Sequence, residues 1–135
     1  MSARILVVDD DDAFAAALTR AFVRRGHAAE AAHDHHAALQ ALARFAPTHV
    51  VLDLKIGGDD GLILLAELRT ANPELPILLL TGYASIATAV EAIKRGASDY
   101  LAKPADANAI LRALALAPPL PETDDDVDDR PLPWN

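Results

Sequence analysis

Three unbroken aliphatic runs stand out along the chain: Ile5-Leu6-Val7-Val8, Val50-Val51-Leu52 and Ile77-Leu78-Leu79-Leu80. Runs of this length without polar alternation predict strands covered on both faces. Two weaker stretches, Ala28 to Ala32 and Tyr100 to Ala102, complete a set of five. Between the runs, apolar residues recur at helical spacing. Phe14, Leu18 and Phe22 stand at i, i+4 and i+8, Ile86, Val90 and Ile93 at i, i+4 and i+7, and Ile110 and Leu114 at i, i+4. Each set marks one face of an amphipathic helix. Gly26 and Gly96 follow last turns bearing Arg and Lys, as helix ends favour, and Asp34, Ser85 and Asp106 suit N-caps. Pro47, Pro73 and Pro76 fall between elements, where a missing N–H costs nothing.

Five strands alternating with five helices make repeated βαβ units. The predicted class is therefore α/β, a five-stranded parallel sheet doubly wound by helices on both faces. Ligands of such sheets bind outside the carboxyl ends of the strands. The first strand runs into Asp9-Asp10-Asp11-Asp12, the third ends at Asp53, the fourth at Thr81 and the fifth at Lys103-Pro104. A parallel sheet gathers these at one edge, with at least three carboxylates, a hydroxyl and an ammonium in one cleft. Carboxylates packed so closely repel, and a divalent cation relieves the repulsion. Oxygen-only ligands with open positions suit Mg2+. Lys103 then pairs with a carboxylate at rest and with an incoming anion in the active state, while Thr81 donates a hydrogen bond to that anion.

Composition narrows the classes further. The 135 residues amount to about one domain, and 52% apolar with only 4% aromatic content calls for an aliphatic core. The absence of cysteine excludes a disulfide framework, a thiolate metal site and thiol catalysis. A net charge of −8 argues against a nucleic-acid surface in this chain. No apolar run approaches the ~20 residues that cross a bilayer, and no basic-then-apolar leader opens the sequence. A cytoplasmic location without membrane contact is expected. Charge is concentrated at the end: Pro118 to Asn135 carry six acids against Arg130, and five of the nine prolines. Such a segment buries too little to offset its ordering entropy, and proline extends it. Residues 1–117 are read as the domain and 118–135 as an acidic, proline-rich linker.

Four motifs now coincide with the strand ends: Val7-Val8-Asp9-Asp10, Leu52-Asp53, Leu80-Thr81-Gly82 and Tyr100-Leu101-Ala102-Lys103-Pro104. In this order and spacing the chain resembles the receiver domain of two-component response regulators over about residues 3–117. Within that family, Leu80 to Val90 followed by Lys103-Pro104-Ala105 resembles the RegA/PrrA/ActR-type group. The resemblance implies a flavodoxin-like (βα)5 fold of strand order 2-1-3-4-5. It implies a signalling module, not an enzyme, that assists its own phosphoryl transfer and dephosphorylation. Asp53 would accept a phosphoryl group from a sensor histidine kinase. Asp9, Asp10, Asp53 and the backbone carbonyl of Lys55 would hold Mg2+. Thr81 and Lys103 would bind the phosphoryl oxygens, with Lys103-Pro104 joined by a cis peptide. Thr81 and Tyr100 would form the conformational switch, and Lys55 and Tyr83 would tune how fast water reaches the acyl phosphate. The linker would lead to a C-terminal helix-turn-helix domain absent from this chain, through which alone DNA is bound. The output would be transcriptional and, as in that group, redox-responsive. A homodimer would form through residues 85–112.

Plainer readings stand beside these. Asp11 and Asp12 are explained as acids at the positive end of a helix dipole, and Tyr100 has core filler as its alternative. Lys94, Arg95, Asp99 and Arg112 are read either as an ion-paired dimer face or as ordinary surface charge. His33-Asp34-His35-His36 is placed at a strand-to-helix junction away from the acidic cleft and read as solvated cap residues. Glycine at position 57, where many relatives have proline, lowers the stiffness expected of the loop after Asp53. The rival function is a Mg2+-dependent phosphohydrolase of haloacid-dehalogenase type, whose second catalytic Asp is replaced here by Lys55. A phosphorylation-independent receiver is the third reading, though no member of the Asp, Thr and Lys set is missing.

Overall fold

The computed structural model describes residues 3–54, 61–82 and 86–116. Five strands and five helices alternate: β1 (Arg4–Val8), α1 (Asp12–Arg24), β2 (Ala28–Ala32), α2 (His35–Phe45), β3 (His49–Asp53), α3 (Gly61–Ala71), β4 (Ile77–Thr81), α4 (Ile86–Lys94), β5 (Asp99–Ala102) and α5 (Ala107–Ala113). All neighbouring strands pair in parallel, in the order β2-β1-β3-β4-β5. Strand order thus reverses beside β1, and the ends of β1 and β3 flank the crevice.

Side chains alternate across the sheet with a period of two, and each face has its own core. Leu6, Val8, Val50, Leu52, Ile77 and Leu79 pack with Ala38 and Ala41 of α2, Leu64, Leu65 and Leu68 of α3, and Ala89 and Ala92 of α4. Ile5, Val7, Val51, Leu78 and Leu80 pack on the other face with Ala15, Leu18 and Phe22 of α1 and Ile110 and Leu111 of α5. The three central strands are buried on both faces, which is why their sequences show no alternation. The edge strands read weakly for the converse reason: β2 and β5 are covered only in part. In β2, Glu30 interrupts four alanines and is held by the forked guanidinium of Arg44 from α2.

The ends of the helices follow the cap chemistry. The side chains of Asp11, Asp34 and Asp106 accept the N–H groups of Phe14, Ala37 and Ala109, each satisfying a donor with no partner inside its helix. Asp34 and Asp106 agree with the sequence reading, whereas Ser85 lies outside the described residues. Gly26 and Gly96 adopt φ of +92° and +120°, a region that L side chains rarely enter.

Candidate functional site

The edge carrying the carboxyl ends of the strands brings together most of the residues expected there. Asp9 follows β1 directly and is 1% exposed. Its N–H donates to the Ala32 carbonyl at 3.0 Å, and its carboxylate accepts the Asp11 N–H at 2.9 Å. Asp53 closes β3, and Thr81 closes β4, both buried. Asp10 is exposed at the mouth. One ligand oxygen from each of Asp9, Asp10 and Asp53 lies within 4.8 Å of the others.

Lys103 reaches into this cluster from the loop after β5. Its Nζ donates to Asp9 Oδ2 at 3.0 Å and to Asp53 Oδ2 at 3.4 Å, and it sits 4.8 Å from the centroid of the Phe14 ring. The Lys103 N–H donates to the Thr81 carbonyl at 2.8 Å, and the Lys103–Pro104 peptide is cis. Phe14 in the first turn of α1 therefore adds a π-face to the ammonium's surroundings, beyond its place in the periodic set.

Electrostatics follow from this packing. Burial pushes the Asp9 carboxyl above its ordinary value, and neighbouring Asp53 adds to the rise; the Asp11 N–H and the Lys103 ammonium oppose it without cancelling it. Burial by itself would lower the Lys103 ammonium, but its hydrogen bond to Asp9 and the charges of Asp53 and Asp9 outweigh burial, and it titrates above the usual lysine range. Among the described residues this cluster sets three carboxylates against one ammonium, a deficit of positive charge within these four groups. A hard divalent ion with oxygen ligands matches that deficit in charge and in donor type.

Thr81 Oγ1 donates to the Gly82 carbonyl at 3.1 Å. Tyr100 pairs with Leu79 in the β4–β5 register, as Ala102 does with Thr81. It is half-buried and packs on the same core cluster as Leu79 and Ala89. Tyr100 thus lies one strand over and one same-face step back from Thr81. Lys55, Gly57, Tyr83 and the segment 118–135 lie outside the described residues. Arg95 pairs with Glu91 one turn earlier on α4.

One reading is corrected. His33 does not stand away from the cleft: its Nδ1 lies 3.1 Å from the Asp9 carbonyl and 3.1 Å from Asp12 Oδ1. Val8 pairs with Ala32 in the parallel register, so the next residues along, Asp9 and His33, come side by side. The sequence holds that signal only once strand register is fixed. His35 separately pairs with Glu67 of α3.

A five-stranded parallel sheet whose carboxyl edge holds buried acids under a lysine defines a doubly wound α/β protein with a charged crevice at that edge. The family model for the response regulator receiver domain matches residues 5–115, and the chain belongs to that family, the signalling modules of two-component systems. It is 47% identical over 120 residues to the photosynthetic apparatus regulatory protein RegA of Rhodobacter capsulatus, covering 85% of this chain and 65% of that protein. It is 45% identical over 114 residues to the acid tolerance regulatory protein ActR of Sinorhizobium medicae, covering 84% and 59%. The chain thus spans less than two thirds of these relatives. Among solved structures, a Burkholderia pseudomallei response regulator with a phosphorylated aspartic acid, calcium ion and citrate superposes with a TM-score of 0.77 at 48% identity, covering 82% of this chain and 65% of that one. The receiver domain of NtrX from Brucella abortus gives 0.75 at 40%, covering 84% and 99%. Among the described residues no helix is long and apolar enough to cross a membrane.

Proposed function

We propose that this chain is a phosphorylation-controlled switch in which Asp53 accepts a phosphoryl group from the phosphohistidine of a sensor histidine kinase. The observation that carries the reading is the Asp53 carboxylate, buried at a strand end, 3.4 Å from the Lys103 ammonium and clustered with Asp9 and Asp10. An Asp53 oxygen attacks phosphorus in line. The O–P bond forms as the P–N bond to imidazole breaks, and the departing imidazole takes up a proton. Such transfers ask little covalent work of the protein beyond position and charge. Asp9, Asp10, Asp53 and the Lys55 carbonyl would hold Mg2+, which supplies charge neutralisation on the phosphoryl oxygens when bound. Lys103, already aimed at Asp53, balances charge on an equatorial oxygen. Support for an occupied acceptor comes from the Burkholderia pseudomallei relative, whose structure contains a phosphorylated aspartic acid and a calcium ion.

Conversion to a signal follows from the neighbours of Asp53. Thr81 gives up the Gly82 carbonyl for a phosphoryl oxygen, vacating space into which Tyr100 packs from the adjacent strand. Lys55 and Tyr83 set the access of water to the acyl phosphate. The altered surface spans residues 85–112, where a second copy docks. Segment 118–135 links this domain to a DNA-binding output that controls transcription; in support, the relatives RegA and ActR are regulatory proteins longer than the stretch matched here. The test is intact mass after incubation with Mg2+ and a small acyl-phosphate donor. One phosphoryl adduct is expected, absent in Asp53→Asn and without Mg2+. Steady turnover of phosphomonoesters would instead establish a hydrolase, and an unmodified mass a phosphorylation-independent module. Sedimentation with and without beryllofluoride tests the dimer.

A further inference from the structure

We infer that His33 is a positioning residue for the divalent-cation site: its Nδ1–H holds the peptide unit between Asp9 and Asp10 and so sets where Asp10 presents its carboxylate. The inference rests on the reading of the acidic cluster as a Mg2+ site. Both atoms facing His33 Nδ1, the Asp9 carbonyl oxygen at 3.1 Å and Asp12 Oδ1 at 3.1 Å, are acceptors. The nitrogen between them must therefore carry the proton, which fixes the tautomer from its partners. The Asp9 carbonyl belongs to the same planar peptide as the Asp10 N–H. A donor on that oxygen resists rotation of the plane, and Asp10 is carried on it.

The remaining restraints on this loop act on either side of that peptide. The Asp9 N–H is tied to Ala32 in β2 and the Asp9 carboxylate to the Asp11 N–H, while Asp11 itself caps α1. Asp10 is exposed, so the direction of its carboxylate depends on the backbone beneath it. His33 fixes that backbone from the residue after β2, a stretch of chain that contributes none of the three clustered carboxylates. Residues that orient metal ligands from behind control affinity as well as geometry. Here the side chains are 48% and 84% exposed for His33 and Asp12, so the effect is that of one solvent-accessible hydrogen bond.

The experiment compares Mg2+ uptake by calorimetry for the wild-type chain, His33→Ala, His33→Phe and His33→Asn. The Asn side-chain nitrogen occupies the place of His Nδ1 and can donate to the same carbonyl, whereas Phe keeps the ring without the donor. His33→Ala and His33→Phe are expected to raise the Mg2+ dissociation constant roughly three- to tenfold, the range a single net hydrogen bond supports, and His33→Asn to stay within about twofold of wild type. In phosphorylation by a small donor, the half-saturating Mg2+ concentration should shift in parallel while the rate at saturating Mg2+ is unchanged. Equal affinities in all four proteins would overturn the role of His33 while leaving the site intact. An Asn variant as weak as Ala would overturn the donor mechanism. A wild-type chain that takes up no Mg2+ would overturn the site and this inference together.

Discussion

Lys103 occupies two carboxylates that a divalent cation would also need, and the two cations compete for charge while cooperating in chemistry. Lys103→Met is expected to tighten Mg2+ binding, because one positive charge leaves a cluster that holds three negative ones. The same variant should lower the limiting rate of phosphoryl transfer at least about tenfold, since a donor aimed at the developing charge is lost. Calorimetry and single-turnover mass measurements separate the two effects; weaker Mg2+ binding would refute the competition. Asp9, Asp10, Asp53, Thr81 and Lys103 were all legible from the sequence, because each sits at the end of an aliphatic run that parallel pairing aligns. His33 was not, since its place beside Asp9 depends on a register that no local pattern encodes. The ring of Phe14 beneath Lys103 was hidden for a similar reason, its helical spacing being explained by core packing alone.

Helices α1, α4 and α5 show their periodic faces in the sequence, whereas α2 and α3 are implied only by alternation of elements. The buried face of α2 consists of Ala38 and Ala41, too small to print a strong stripe, and α3 keeps Ile63 exposed opposite its buried leucines. Helix α2 therefore leans on its cap. Asp34→Ala is expected to cost about 1 kcal/mol, measured as a lower denaturation midpoint at unchanged slope. At the start of α3, a Cβ on Gly61 would lie 2.3 Å from the Leu54 carbonyl oxygen and 2.8 Å from its carbonyl carbon. Those are backbone atoms, so the chain itself must shift, and Leu54 adjoins Asp53. Gly61→Ala should destabilise by about 1–3 kcal/mol and slow phosphorylation at Asp53; loss of stability with an unaltered rate would show that the shift stops short of the acceptor.

Across the whole molecule, acid sensitivity has a source remote from the crevice. Burial holds His49, at the start of β3, below the ordinary histidine value, and nearby His27 adds to the depression. The unfolded chain takes that proton first as pH falls below about 6.5. It then binds more protons than the folded state, so stability falls with pH until the folded group titrates too. Above that range neither state is protonated and the contribution is flat. His49→Gln is expected to flatten this part of the profile, followed by denaturant melts across the interval; an unchanged slope would assign it elsewhere.

The forked pair between Glu30 and Arg44 lies on a strand with one open side. The open edge of an alanine-rich strand offers backbone groups to a neighbouring molecule's strand, and an ion-paired carboxylate at the midpoint makes such stacking costly. Glu30→Val would leave the crevice untouched yet make the purified protein self-adhesive, its light scattering climbing with concentration. The sheet of this signalling domain thus carries its guard against strand addition on the border farthest from β5.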